Sequence, residues 1–440
     1  MTSSERVHCS HPIEALTRGP RHHFFGFYDA CPWDASERYV LALETDFIDR
    51  MPTGREPATV GVVDTSDGNR WHPIAETFAW NFQQANRLQW VPNTDRTLVY
   101  NVREGERFAA ELHSLDTGER RRLEEPIYAL APDGRSALSI DYARLQRLGG
   151  YGYPGVDDPR AGIAAPDDAG IRRIDLANGR GQLLISVAQV AAHGASKASQ
   201  QSHHYLSHVT FNPQGTRICF LHRFWLADGG FYTRLFTADP DGSDLYCLAE
   251  GTLSHFDWFE EDRIMIWGRH RPLVAMARQR NLFALPILKP LLDVLRRQTR
   301  GFVRQHVIGD RYLVLTDRSK RVDAIGIGTL TEDGHPTRFP GSSRILTDTY
   351  PDEQHYRTLI LFDLDRNERT DVGRFYALPD AEHWVDDLGE KWEVSGMRSD
   401  LHPRWNRSES RICIDSIHGG SRQMYAVEVG RPSGAAPSRD

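Results

Sequence analysis

The sequence has no surplus of positive charge, few cysteines and no long apolar run, and each shortage removes a class of function. Lys and Arg total 53 against 60 Asp and Glu, a formal charge of −7, so no basic excess calls for nucleic acid as a partner. Any anionic ligand must be met by local charge. The five cysteines (Cys9, Cys31, Cys219, Cys247 and Cys413) are scattered, odd in number and never spaced Cys-x-x-Cys. That excludes a disulfide framework and a thiolate zinc knuckle, and it fits a reducing compartment. No apolar stretch reaches the about 18 residues that cross a bilayer, so no integral membrane segment is expected. The first ten residues lack the basic start and apolar core of a secretory signal, which gives the expectation of a cytoplasmic protein. What is present is an ordinary folded composition, 26% charged and 40% hydrophobic over 440 residues. Such a length implies several domains unless a repeat absorbs the chain.

A repeat is there. A unit recurs in which an aromatic or apolar residue precedes a proline or turn, followed by a polar turn and a β-branched run of period two, the pattern of a hairpin. The copies are 29–42, 88–100, 128–140, 208–220, 255–267, 335–347 and 402–414, anchored at Pro32, Pro92, Pro132, Pro213, Glu260, Pro340 and Arg407. Strand-like runs such as Ala58-Thr-Val-Gly-Val-Val-Asp and Thr358-Leu-Ile-Leu-Phe-Asp lie between them and raise the count to four strands per unit. Seven such units predict an all-β fold, a seven-bladed β-propeller forming one domain over 1–430, with 431–440 a disordered tail. A pair of β-sandwiches is the competing architecture.

Two insertions break the pattern, at about 144–200 and 273–305. The first carries Arg144, Tyr151 and Tyr153, and long loops on a rigid scaffold are where function concentrates. The second is an amphipathic stretch interrupted by Pro286 and Pro290, expected to pack as a helix across the propeller rim.

The chemistry lies in the register. The last four units all carry histidine five residues before the anchor: His208, His255, His335 and His402. That position opens the innermost strand of a blade, so the four imidazoles are expected to converge on one volume of the central channel, where a divalent metal would bind. Phe27, Arg87 and Ile127 occupy it in the first three units, which makes the cluster one-sided. Other polar and aromatic groups sit near the same strand ends: Tyr28, Asn81, Gln84, His204, Tyr205 and Arg223.

The segments Ser207-His208-Val-Thr-Phe-Asn-Pro, Ser254-His255-Phe-Asp-Trp, Asp333-Gly-His335-Pro and Asp400-Leu-His402-Pro-Arg-Trp resemble the histidine-bearing blades of oligogalacturonate lyase and the related ulvan-type polysaccharide lyases. Phe25-Gly-Phe-Tyr-Asp and Leu346-Thr-Asp-Thr-Tyr-Pro support the resemblance, and the hairpin repeat looks like that of TolB-type propellers. The resemblance implies β-elimination on a uronic-acid-containing glycan, with an acidic oligosaccharide as partner and a divalent metal, Mn or Zn, held by His208, His255, His335 and His402. Arg223, Tyr205 and His204 are then the candidates for proton transfer, and Arg144, Tyr151, Tyr153, Asn81, Gln84 and Tyr28 for holding the sugar. The alternative is a non-catalytic TolB-like propeller that binds a glycan or protein in a polysaccharide or envelope pathway.

Overall fold

The computed structural model describes residues 6–200, 202–226, 231–269, 310–378 and 395–431. They form seven antiparallel sheets around an axis, and six of the seven hairpins expected from the repeat supply the two inner strands of their sheets; in blade 1 the expected hairpin supplies the second strand and an isolated bridge from Trp33 to Val40, while the innermost strand lies upstream of it. The innermost strands are His22–Phe24, Gln89–Trp90, Ala129–Leu130, His204–Phe211, Leu253–Trp258, Thr337–Arg338 and Arg404–Trp405. The fold is therefore the expected seven-bladed β-propeller.

The apolar core is divided into wedges between neighbouring blades, because a four-stranded sheet has two faces to cover and each is covered by the next blade. Cys219, Leu221 and Leu235 of blade 4, for example, pack against Phe256, Ile264 and Ile266 of blade 5, all buried. Leu346, Leu359 and Val372 of blade 6 meet Ile412, Ile414 and Val427 of blade 7 in the same way.

The start of the chain closes the ring. Ile13–Ala15 pairs with Tyr425, Ala426 and Val427 as the outermost strand of blade 7, and Val7–Cys9 adds a fifth strand to blade 6 by pairing with Gly373, Arg374 and Phe375. Neither strand was expected from the sequence. Closure covers the edge that the strand Gln423–Glu428 would otherwise leave bare.

The insertion expected at about 144–200 needs correcting. Its strand pair, Gly170–Asp175 and Gly181–Ser186, is the outer half of blade 3. What interrupts the blade is a crossover carrying the helix Tyr142–Gly149, and the short helix Val187–Ala192 follows the blade. The insertion at 273–305 lies outside the described residues; Arg269 and Asp310, which bracket it, are joined by an ion pair of 2.7 Å. Residues 432–440 of the expected tail also lie outside them. Among the described residues no helix is long and apolar enough to cross a membrane.

Candidate functional site

Local irregularity aims the histidines. In blades 4 and 5 the pairing register jumps between Ser207 and Thr210 and between Leu253 and Phe256, so His208 and His255 each sit in a bulge. A bulge re-aims a side chain that a regular pleat would fix. His208 and His402 also hold left-handed backbone, with φ of 54° and 42°, as does Arg87 at the equivalent place in blade 2 with φ of 55°. For residues with a Cβ this conformation costs about 1–3 kcal/mol each and is retained where the surroundings enforce it.

The innermost strand of blade 1 is split. His22–Phe24 pairs with Leu43–Thr45 and Trp33 bridges to Val40, while Phe25 to Asp29 leaves the ladder and crosses the channel. Asp415 receives the N–H groups of Phe25 and Gly26 at 3.2 and 3.1 Å. Gly26 is required there: its φ is 104°, and a Cβ would meet that of Ala85 at 2.8 Å. This segment sets Phe27 edge-on between His208 and His402, at centroid distances of 5.1 and 5.2 Å, and Tyr28 against His335 at 5.3 Å and His255 at 6.0 Å.

The four in-register histidines are not equally close to one another. His335, His402 and Asp400 each offer a ligand atom within 4.8 Å of the other two. His255 adjoins them, its ring 4.4 Å from that of His335. His208 stands on the other side of Phe27. Nδ1 of His335 is 2.8 Å from a carboxylate oxygen of Asp348, and Nδ1 of His402 donates to the Gly26 carbonyl at 2.6 Å. The opposite nitrogens, Nε2 of both rings, are buried with no hydrogen-bond partner. An imidazole whose Nδ1–H is spent on a carboxylate or carbonyl presents its Nε2 lone pair, the arrangement that supports metal ligation. One oxygen of Asp400 pairs with Arg357 at 2.8 Å, while the other faces Nε2 of His402 at 4.0 Å.

Electrostatics agree with this division. Burial alone would raise the Asp400 carboxyl, but Arg398, Arg357 and the two histidines hold it well below the usual carboxylate range. Burial likewise opposes charge on His335, yet Asp348, Asp400 and Asp333 lift it above the ordinary histidine value. His402 falls well below that value through burial and the neighbouring His335. The residues fit a divalent cation, with two unpartnered imidazole nitrogens and one ionised carboxylate, and a cation bound at His335 would take the place of the proton that the surrounding carboxylates favour there.

A second part of the site lies beside His208. The helix Tyr142–Gly149 is capped by Asp141, which accepts from the Arg144 N–H, and ended by Gly150 at φ 77°. The turn delivers Tyr151 to the channel mouth, where its ring is 5.6 Å from His208 and its hydroxyl accepts from Arg223 at 2.9 Å. Tyr205 is the cross-strand neighbour of Arg223, and its ring is 6.5 Å from that of Tyr151. Arg223 loses to burial and is compensated by these two phenols, which keep it fully cationic. Among the described residues it has no carboxylate partner. Burial pushes the Tyr205 hydroxyl well above its usual range, and burial with Arg223 and His255 pushes His208 well below its own.

Several expected residues have other work. Arg144 is fully buried and donates to the carbonyls of His204, Ile163 and Ala164 at 2.6, 3.0 and 2.7 Å, so it fastens the crossover rather than gripping a sugar. Tyr153 is stacked on Tyr142 at 4.2 Å with its hydroxyl bonded to Asn101. Asn81 donates to the carbonyls of Tyr151 and Gly152 and accepts from the N–H groups of Gln83 and Gln84, bracing the loop from behind. Gln84 lines a small cavity with Phe25, Phe27, Asp29 and Arg87. His204 points away from the channel and has both ring nitrogens engaged, one by His222 at 2.8 Å and one by the Ser199 carbonyl at 2.8 Å. The sequence reading missed Asp400, Asp348 and Asp333, although aspartate stands two residues before both His335 and His402.

No known protein-family model matches the chain, and no curated protein matches its sequence. Solved structures do match. An oligogalacturonate lyase in complex with manganese aligns over 96% of this chain and 94% of its own, with a TM-score of 0.61 and 11% identity. The oligogalacturonate lyase from Vibrio parahaemolyticus aligns over 96% of both chains, with a TM-score of 0.58 and 9% identity. The fold is that of oligogalacturonate lyase. At these identities the likeness to oligogalacturonate lyase concerns the propeller and not its chemistry.

Proposed function

We propose that the chain is a metal-assisted lyase that cleaves a uronic-acid-containing oligosaccharide by β-elimination. The observation that carries this reading is a channel with two unpartnered buried imidazole nitrogens and an ionised carboxylate on one side of Phe27 and, on the His208 side, an arginine that has no carboxylate partner among the described residues. The C5 hydrogen of a uronate is acidic only while the charge spreading into its carboxylate is stabilised. Arg223 supplies that stabilisation from the Tyr151 side. His335, His402 and Asp400, with His255 beside them, would hold a divalent metal, Mn or Zn, which when bound acts as a Lewis acid toward the same carboxylate.

The remaining steps belong to side chains. His208, kept neutral by burial and by Arg223, takes the C5 proton; the electron pair forms the C4–C5 double bond and the C4–O bond breaks. Tyr205, whose raised pKa keeps its proton in place, protonates the departing oxygen. Tyr28 and Tyr151 flank the sugar. His204 takes no part.

The test is direct. Purified protein with Mn²⁺ or Zn²⁺ is incubated with a panel of uronate oligosaccharides, and the ultraviolet absorbance of an unsaturated uronate is followed. Product that disappears with chelator and with His335→Ala/His402→Ala supports the reading. No product from any uronide, or product that survives the double substitution, removes it, and binding without cleavage would leave a glycan-binding propeller.

A further inference from the structure

We infer that Trp225, backed by Phe231, is a stacking platform for a second sugar ring, one residue beyond the uronate held at Arg223. The inference rests on the proposed site and names its ligand more closely as an oligosaccharide that continues out of the channel along blade 4.

Trp225 is 38% exposed, one of three large hydrophobic side chains so exposed among the described residues. The others, Ile163 and Ile327, are aliphatic. Trp225 ends the strand Ile218–Trp225, two positions after Arg223, so the two side chains leave the same face of that strand, about 7 Å apart along it.

The indole is fixed rather than merely exposed. Its N–H donates to the Leu148 carbonyl at 3.2 Å, and its own backbone carbonyl accepts from the Ser202 hydroxyl at 2.7 Å. Phe231, its cross-strand partner, covers it at a centroid distance of 3.5 Å. One face is thus backed and the ring's orientation set, which is what a platform needs, because stacking on an immobile ring loses little side-chain freedom on binding.

Continuity with the site comes through one loop. Leu148, which receives the indole N–H, lies at the end of the helix whose next turn delivers Tyr151 to Arg223. The same short stretch therefore positions both the guanidinium for the reacting uronate and the indole for its neighbour. A tryptophan needed only for packing would turn its apolar area inward, as Trp33 and Trp80 do at 0% exposure.

The experiment compares wild type, Trp225→Phe and Trp225→Ala on a uronide disaccharide, trisaccharide and tetrasaccharide. For Trp225→Ala the KM for the longer two is expected to rise about tenfold with kcat unchanged, the disaccharide to be affected least, and Trp225→Phe to recover most of the loss. Thermal midpoint and metal content check that the fold and the metal residues are intact. Calorimetric binding of the same series to chelator-treated protein gives a readout that needs no catalysis. If wild type cleaves uronides but Trp225→Ala changes all lengths equally, or none, the platform is overturned and the lyase stands. If nothing is cleaved but longer chains bind more tightly in a Trp225-dependent way, the platform stands and the lyase falls. If no oligosaccharide binds, both fall.

Discussion

Two pairs of touching, buried histidines in this propeller end in opposite chemical states. His335 and His402 lie in the channel with ring centroids 4.3 Å apart, and His204 and His222 lie behind blade 4 at 4.9 Å. In the second pair every nitrogen is spoken for. The Arg234 Nε–H donates to His222 Nδ1 at 3.0 Å, so His222 must carry its proton on Nε2 and donate to His204 Nδ1; His204 then carries its proton on Nε2 and donates to the Ser199 carbonyl. That chain leaves no lone pair for a metal and no vacancy for a substrate proton. In the channel pair the outer nitrogens are spent in the same manner and the inner ones are left open. Residue type and burial do not distinguish the pairs; the count of hydrogen bonds does.

The strongest way to break this comparison is to remove the open nitrogens. His335→Ala with His402→Ala is expected to bring metal content to background by elemental analysis and to lower uronide cleavage about a thousandfold or more. Retention of metal by the double variant would mean that the open nitrogens are not its ligands.

Arginines sharpen the same contrast. Arg223 is held by phenols, Arg144 by carbonyls of its own scaffold. Arg223→Ala is expected to cost about 100- to 1000-fold in kcat with little change in the unfolding midpoint. Arg144→Ala should do the reverse in kind, because it leaves buried carbonyls unpaired and loosens the helix that carries Tyr151, which a thermal melt reads directly.

This difference also explains how much the sequence could tell. The hairpins were legible because turn residues and period-two runs are local, and the histidine register followed from them. Asp400 was not legible as part of the site, since its meaning depends on the blades closing until its oxygen faces His402, although its place two residues before a histidine recurs at Asp333. The three-residue strands Val7–Cys9 and Ile13–Ala15 carry no period of their own and are defined by pairing with the far end of the chain. Arg144 and His204 were misassigned for a common reason: a polar side chain destined for internal carbonyls looks, in sequence, like one destined for a ligand. The split strand of blade 1 was likewise hidden, because Phe25-Gly-Phe-Tyr-Asp gives no sign that it crosses the channel.

The closed pair makes a prediction about acid. Burial holds His204 at about 4, below the ordinary histidine value. The folded state therefore refuses a proton that the unfolded chain accepts, so this stabilisation is complete above about pH 6.5 and is lost as pH falls toward 4, by about 3 kcal/mol in all. Chemical denaturation across that interval should show stability falling with pH, and the slope should flatten in a variant that lacks the His204 imidazole. An unchanged slope in that variant would mean that His204 is protonated in the folded chain.

The smallest expected effect separates the two pairs most cleanly. Glutamine at 204 can donate its amide N–H to the Ser199 carbonyl and accept from His222 through its oxygen, so His204→Gln preserves the direction of the chain and costs about 1 kcal/mol of stability. Because no part of that chain reaches the channel, kcat, KM and metal content should stay within about twofold of wild type. A loss of kcat beyond tenfold at unchanged metal content would return His204 to the catalytic group. It would also show that a histidine with both nitrogens engaged in the resting fold can exchange a partner during turnover, so that the hydrogen-bond count would cease to mark the site.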